Sequence, residues 1–426
     1  MTTPMIITLA IVLLMVAVII SDKLPFGVPA LLAAVLLVVT NQANVATAFG
    51  GFVDKNVIMI MGFMTLMVAF DKTELIYKVK KALAKFATSG GVKGLLVLMI
   101  AIMAIGNFIT GTAFYVLVLS IVSTIPANDK LPTSRIILPA AIATTASGWL
   151  PTGVVFFASL AASMVSSAGG TPTAVDPTKL VLINVIFSFV YLLWVLVGHK
   201  LLPAKNANEA SASESKEEKP FVKTLTSFQQ NVVYVGYFTV LVSLLFLSKF
   251  PGEIGYGLPL AIAGVFLVVK AINFKELLSS MFSPLMIMMA SVIGVAAAMG
   301  NSGLSAYLGG QIAGLLGAAP SLLLIVFVFA FLTSIFATFT GASFGSLFVT
   351  APIGIALCLQ YGYNPMPLAL ACVSAAWINF IMPIDGMPAL AFGMGKYKLP
   401  QFWAFVIPTW IFKLTLTCVL CVVFFA

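Results

Sequence analysis

Long apolar runs alternate with short polar segments along this chain, and the pattern occurs twice, 230 residues apart (340 − 110). Gly27 and Gly257 each open a Gly-X-Pro start of an apolar run, and Thr110 falls on Thr340. Solenoid proteins repeat every 20–50 residues, so a single repeat at 230 residues argues against a solenoid. Two related apolar halves are typical of secondary transporters, whose binding site lies where the repeats meet.

The apolar runs predict ten membrane spans, because a spanning helix needs about 20 mostly apolar residues. Five fall in each half, and the predicted fold class is an all-α polytopic membrane protein with two repeats. The predicted spans lie near 5–21, 25–40, 56–70, 136–165, 179–200, 230–248, 257–271, 281–299, 366–393 and 401–425.

Two further apolar pairs predict re-entrant hairpins. The arms 92–105 and 113–125 are short for a crossing and are joined by a polar tip at 106–112. The second half repeats this pattern at 320–357, with its tip at 338–343. Backbone that leaves the helix at membrane depth is tolerated when it is buried in protein or lines a cavity.

Polar segments divide the chain. The basic segment 73–88 predicts an amphipathic helix at the membrane interface, and 302–316 predicts a short helix in the corresponding place. The segment 203–229 is too polar to bury a core and predicts a flexible cytoplasmic linker. It separates a first repeat at 1–202 from a second repeat at 230–426.

Composition supports a lipid environment. The chain is 61% hydrophobic and 8% charged, whereas soluble domains carry roughly 25% charged residues. If 73–88 is cytoplasmic, only Lys55, Lys179 and Lys249 lie outside and Lys413 lies within a span, which leaves 18 of the 22 basic residues inside (22 − 4). This distribution satisfies the positive-inside rule for a cell (inner) membrane. An odd number of spans in each repeat inverts the second repeat, and both chain termini are predicted outside.

The sequence argues against an enzyme. Cys358, Cys372, Cys418 and Cys421 lie in apolar runs without metal-ligand spacing and predict reduced core thiols. With His199 as the one histidine, neither metal nor triad chemistry has its residues. We therefore expect no cofactor apart from a coupling ion, and no nucleic-acid partner.

Four stretches of broken helix predict the binding site: the two hairpin tips and the Gly/Pro-rich segments 147–153 and 383–388. Proline and glycine interrupt helices there, which frees carbonyls for Na⁺ and exposes helix N-termini to anions. An alternative is that small residues merely permit close helix packing. The candidate site residues are Asn107, Thr110, Gly111, Thr112, Pro151, Thr152, Gly153, Thr338, Thr340, Gly341, Ala342, Ser343, Asn379, Pro383, Asp385 and Gly386.

Asp385 is the one acidic residue deep in an apolar region, and a carboxylate there indicates a function. Three interpretations stay open: it coordinates a cation or carries a proton, it pairs with Lys413, or it lies at a cavity mouth.

Three segments resemble the divalent anion–sodium symporters of the ion transporter superfamily. Ser134–Ala141 is similar to the start of that family's fifth helix. Ala375–Pro383 with Ala389–Gly393 resembles its late signature, and Lys398–Pro408 resembles the entry to its last helix.

The resemblance implies a homodimeric elevator carrier. Its scaffold would comprise 5–88 and 230–316, and its moving transport parts would comprise 91–202 and 319–426. The family's tips read Ser-Asn-Thr, whereas here glycine replaces the asparagine at Gly111 and Gly341. The resemblance implies Na⁺ sites near Thr110, Thr112, Gly153, Thr340, Ser343 and Asp385.

The resulting prediction is a sodium-coupled carrier of a small organic anion, in a range that includes di- and tricarboxylates. The alternatives are a proton-coupled carrier or antiporter that uses Asp385, and a non-transporting membrane subunit.

Overall fold

The computed structural model describes residues 1–21, 23–25, 27–75, 78, 91–107, 118–119, 122, 132–204, 225–245, 253–317, 320–340, 343–378, 380–383 and 386–426. Within these ranges the regular secondary structure is helical. Most of the predicted interfacial helix 73–88, the second arm of the first hairpin and most of the linker lie outside the described residues.

The first half contains eight described α-helices and the second contains ten. They are α1 (Thr3–Ser21), α2 (Val28–Val39), α3 (Val45–Phe49), α4 (Lys55–Asp71), α5 (Gly91–Ile105), α6 (Ser134–Ala143), α7 (Pro151–Ser167), α8 (Pro177–Gly198), α9 (Ser227–Leu245), α10 (Ile254–Val268), α11 (Phe274–Met281), α12 (Pro284–Asn301), α13 (Leu304–Leu316), α14 (Leu322–Thr340), α15 (Ser343–Gln360), α16 (Met366–Ala375), α17 (Gly386–Met394) and α18 (Leu399–Phe425). Short 3₁₀ turns follow α3 and α8.

Each predicted span corresponds to one helix or to a broken pair of helices. Among the described residues, four helices are long and apolar enough to cross a membrane. The segment Val45–Val53 and helix α4 meet at a bend of 41°, and they add a fifth span if they are counted as one. Several others are apolar helices of 10–17 residues. Exposed apolar side chains such as Phe189, Val268 and Val423 cover the outer surface, as expected where lipid is the solvent.

Local sequence explains where many helices begin. Asp54 accepts hydrogen bonds from the first amides of α4, and Asp176 accepts one at the start of α8. Proline occupies the first turn of α2, α7, α8, α12, α16 and α18, where its missing N–H is not needed. Helix α9 begins at Ser227, so the predicted linker 203–229 extends three residues too far.

The order of the helices repeats, and the two halves exchange packing partners. Helix α4 packs against α10 and α11, while its counterpart α12 packs against α2 and α3. In the same way α6 packs against α17, and α16 against α7. One buried core joins α1 and α2 to α12 and α14–α16, and the other joins α9 and α10 to α4–α6. The two halves therefore form one interleaved unit.

Glycines permit the closest of these crossings. A Cβ at Gly62 of α4 would lie 2.4 Å from the backbone nitrogen of Leu260 in α10. A Cβ at Gly294 of α12 would lie 1.9 Å from the carbonyl oxygen of Ala48 in α3. Both distances are shorter than a carbon contact allows, so only glycine fits these crossings as they are built.

Candidate functional site

The first predicted break is present. Helix α6 ends at Ala143, α7 begins at Pro151, and the seven residues between them (144–150) leave the helix. Pro151 starts the new helix, and Gly148 has a φ of +114°, in a region that side chains rarely adopt. The break leaves backbone amides and carbonyls that need other partners.

Asn107 provides the acceptor for the amides of this break. The N–H groups of Gly148, Trp149 and Leu150 donate to Asn107 Oδ1 at 3.1, 2.6 and 3.0 Å. The Asn107 amide nitrogen in turn donates to the carbonyls of Met103 and Ala104. Asn107 follows α5 and is 6% exposed. The residue that follows the end of α5 is therefore hydrogen-bonded to the first break.

Helix α8 holds the carbonyl side of the same break. Ser188 donates to the carbonyl of Ala146 at 2.6 Å and accepts a hydrogen bond from the Trp149 indole at 2.9 Å. The hydroxyls of Thr144 and Thr145 donate to carbonyls of the last turn of α6. Trp149 thus packs against the apolar core and also takes part in this hydrogen-bond network.

The second break lies between the end of α16 at Ala375 and the start of α17 at Gly386. It begins earlier than the predicted segment 383–388, whose last three residues belong to α17. Ser334 of α14 donates to the carbonyl of Ile378 at 2.7 Å, and the Trp410 indole donates to Ser334 at 2.7 Å. The Trp403 indole donates to the carbonyl of Ile381 at 2.8 Å. Asn107, which follows α5, and Ser334, which lies in α14, therefore each hold the break in their own half of the chain.

The two breaks meet at α18 around a cavity of about 20 Å³. Its lining includes Thr145 from the first break, Trp377 and Ile378 from the second, and Thr409, Trp410 and Lys413 from α18. Lys413 Nζ donates to the carbonyl of Thr145 at 3.3 Å and lies 5.1 Å from the centre of the Phe187 ring. Among the residues described, no carboxylate oxygen lies within 4.0 Å of Lys413 Nζ.

Helices α14 and α15 cover the predicted second hairpin and pack along each other. The predicted tip 338–343 is too long, because α14 continues to Thr340 and α15 begins at Ser343. Thr333 and Thr350 share a hydrogen bond of 2.5 Å between the two arms. Thr338, in the last turn of α14, is 1% exposed, and its hydroxyl has no hydrogen-bond partner among the residues that the structure describes. Such a hydroxyl has oxygen lone pairs free for a ligand.

The predicted site residues fall into three groups. Asn107, Thr338 and Pro383 are described with their side chains, and the structure brings Asn107 to the first break. Pro151, Thr152, Gly153, Thr340, Ser343 and Gly386 are placed in helices, and their side chains are outside the description. Thr110, Gly111, Thr112, Gly341, Ala342, Asn379 and Asp385 lie outside the described residues, so the Asp385–Lys413 pairing stays a prediction.

Sequence reasoning missed Ser188, Ser334 and Trp403 as partners of the broken backbone. The available signal was weak: each is a polar or indole-bearing residue inside an otherwise apolar helix. The one histidine, His199, is 3% exposed, and its Nδ1 lies 2.7 Å from the carbonyl oxygen of Val195.

In the part of the chain that the structure describes, two broken helices of an apolar helical unit meet beside the half-buried ammonium of Lys413, an arrangement typical of membrane transporters. The sequence model of the citrate transporter family (CitMHS) matches residues 11–256, more than half of the chain. The chain belongs to this family, which is a family of transporters and not of enzymes.

Two further proteins resemble the chain. An uncharacterized transporter of Synechocystis sp. is 23% identical over 222 residues, which are 51% of this chain and 36% of that protein. The matched region therefore spans little more than a third of that relative. The crystal structure of the Alcanivorax borkumensis YdaH transporter, described as having an unusual topology, is 15% identical. It superposes with a TM-score of 0.59 over 99% of this chain and 98% of its own, and shows the fold.

Proposed function

We propose that this transporter moves a small organic anion, of the di- or tricarboxylate class, across the cell membrane in symport with Na⁺. The observation that carries the proposal is the convergence of both helix breaks on one cavity beside Lys413. Broken helices at membrane depth are where secondary transporters bind solute and ions. The citrate named in the family's description falls within this anion class.

One side chain of the second half supports the sodium part of the proposal. The buried Thr338 hydroxyl, at the second hairpin tip, has its oxygen available to a cation. Hydroxyl and backbone carbonyl oxygens are ligands that coordinate Na⁺ in broken helices. The proposed sodium sites otherwise involve the tips and breaks, at Thr110, Thr112, Gly153, Thr340, Ser343 and Asp385.

Alternating access by an elevator movement, an inverted second repeat and a homodimer complete the proposal. The exchange of packing partners between α4 and α12 supports two equivalent repeats. The elevator and the dimer rest on the resemblance to the divalent anion–sodium symporters. Both termini are proposed to lie outside, with the hairpins entering from opposite faces.

Uptake into proteoliposomes tests the proposal. We expect labelled citrate or succinate to accumulate with an inward Na⁺ gradient, and a tenfold gradient should raise accumulation about tenfold for each coupled ion. Vesicles with K⁺ or choline in place of Na⁺, with and without a pH gradient, are the controls. The absence of citrate and succinate uptake by folded, reconstituted protein under all conditions would refute the anion proposal.

An Asp385→Asn variant separates sodium from proton coupling. Under sodium coupling through tip and break oxygens, the variant keeps Na⁺-driven uptake, because an amide still offers an oxygen. Under proton coupling through this carboxylate, a pH gradient drives uptake in the wild type and the variant loses that coupling. Glu253→Gln, at an exposed ion pair with Lys55, is the control and should leave both gradients effective.

A further inference from the structure

Lys413 is a charged side chain in the middle of the apolar helix α18. A charge at membrane depth is costly and is retained where it faces a partner, a cavity or a pathway. Here the ammonium is fixed by the carbonyl of Thr145, which the first break has freed, and by the ring of Phe187. Its position is therefore set by the broken helix itself.

An ammonium has three N–H donors and no acceptor. The Thr145 carbonyl uses one of them. Other walls of the cavity beside Lys413 come from the Trp377 and Trp410 side chains and from Thr409, whose hydroxyl already donates to the carbonyl of Phe405. The remaining donors thus lie beside a space with aromatic walls, and the group that complements them is an oxygen anion.

We propose that Lys413 recognises the negative charge of the transported solute. The inference rests on the proposed function and deepens it, because it assigns the anion specificity to one side chain. The chemical class of the ligand is a carboxylate, held by the ammonium and flanked by the indole rings of Trp377 and Trp410.

The size of the cavity adds a requirement. A volume of about 20 Å³ holds about one water molecule. A carboxylate can therefore reach Lys413 only when one of the walls moves. The walls belong to the two breaks and to α18, so the space opens only if one of these three elements is displaced relative to the others.

The test compares a dianion with its monoamide in proteoliposomes of the full chain. Labelled succinate carries two carboxylates, and labelled succinamate replaces one of them by a neutral amide. The variants are Lys413→Met, which removes the charge, Lys413→Gln, which keeps a donor for Thr145, and Lys413→Arg, which keeps the charge. Lys179→Met is the matched control, because Lys179 also donates to a backbone carbonyl, that of Phe424, and lies over the Phe425 ring.

We expect Lys413→Met and Lys413→Gln to lower succinate uptake about 100-fold, because a desolvated charge partner is lost. The preference for succinate over succinamate should disappear with it, while Lys413→Arg and Lys179→Met keep that preference. If Lys413→Met does not fold, the ratio of succinate uptake to succinamate uptake in Lys413→Gln tests the inference.

Three results would overturn the inference in distinguishable ways. An equal fall in succinate and succinamate uptake would make Lys413 a structural residue, and an unchanged ratio at full activity would make it dispensable. Restored uptake in Lys413→Met combined with Asp385→Asn would make it the partner of that carboxylate. Failure of the wild type to carry any organic anion would instead refute the proposed function, and with it the ligand class assigned here.

Discussion

Replacing Asn107 by leucine should abolish most transport and lower the stability of the protein. The substitution removes the single oxygen that accepts the amides of Gly148, Trp149 and Leu150. An unsatisfied buried donor costs about 1–3 kcal/mol, and the break is half-buried, so water will satisfy part of the loss. We expect the free energy of unfolding to fall by about 2–4 kcal/mol. We also expect the first break to lose its conformation.

The measurements are the midpoint of thermal unfolding in detergent and the initial rate of uptake. Asn44→Ala is the matched control, since Asn44 accepts one amide, that of Thr47, at an exposed helix start. The Asn44→Ala substitution should lower the free energy of unfolding by about 1 kcal/mol, as for other helix caps, and leave uptake intact. Asn107→Asp keeps an acceptor oxygen and should retain more uptake than the leucine variant. Equal unfolding midpoints for Asn107→Leu and Asn44→Ala, with normal uptake, would contradict the role of this carboxamide.

The breaks themselves could be predicted from the sequence because their causes are local. Pro151 cannot continue a helix from α6 and is well suited to start one, and Gly148 adopts a positive φ. In the second break, Pro383 lies three residues before Gly386, where α17 begins. The chemical identity of these few residues is enough to interrupt an apolar run, whatever the run packs against.

The partners of the breaks could not be predicted, because their contacts join residues far apart in the chain. Ser188 lies 42 residues from Ala146, Ser334 lies 44 from Ile378, and Lys413 lies 268 from Thr145. An apolar helix has no clear polar face, so periodicity does not indicate which side of α8, α14 or α18 is turned inward. The sequence indicated Lys413 as unusual, and only the fold places it between the two breaks.

Helix lengths show a related limit. Hydropathy merged α6 with α7, and α16 with α17, into single long runs, since a broken helix stays apolar on both sides of its break. Each predicted span therefore corresponds either to one helix or to a pair of helices separated by a break. In the described part of the chain, four or five of them are long and apolar enough to cross a membrane. In a membrane chain the break, and not the end of hydrophobicity, marks the functional element.

The second large effect is expected at Gly294, where alanine should destabilise the fold although alanine is the better helix former. In an unobstructed helix the change from glycine to alanine stabilises by up to about 1 kcal/mol. Here the new methyl group would lie 1.9 Å from the carbonyl oxygen of Ala48. The obstacle is backbone, which no rotamer change can remove, so α12 and α3 must separate. Overpacking of this kind costs about 1–3 kcal/mol or more, which reverses the sign of the substitution.

Gly264→Ala provides the matched control, since Gly264 lies within α10 and a Cβ there meets nothing within 4 Å. We expect the unfolding midpoint of Gly264→Ala to equal or exceed that of the wild type, and that of Gly294→Ala to fall by several degrees. Gly62→Ala, at the corresponding crossing of α4 with α10, should behave like Gly294→Ala. An unfolding midpoint of Gly294→Ala at or above that of the control would show that α3 and α12 do not approach this closely. Because each crossing joins one half of the chain to the other, loss of either should separate the halves whose breaks must meet at α18.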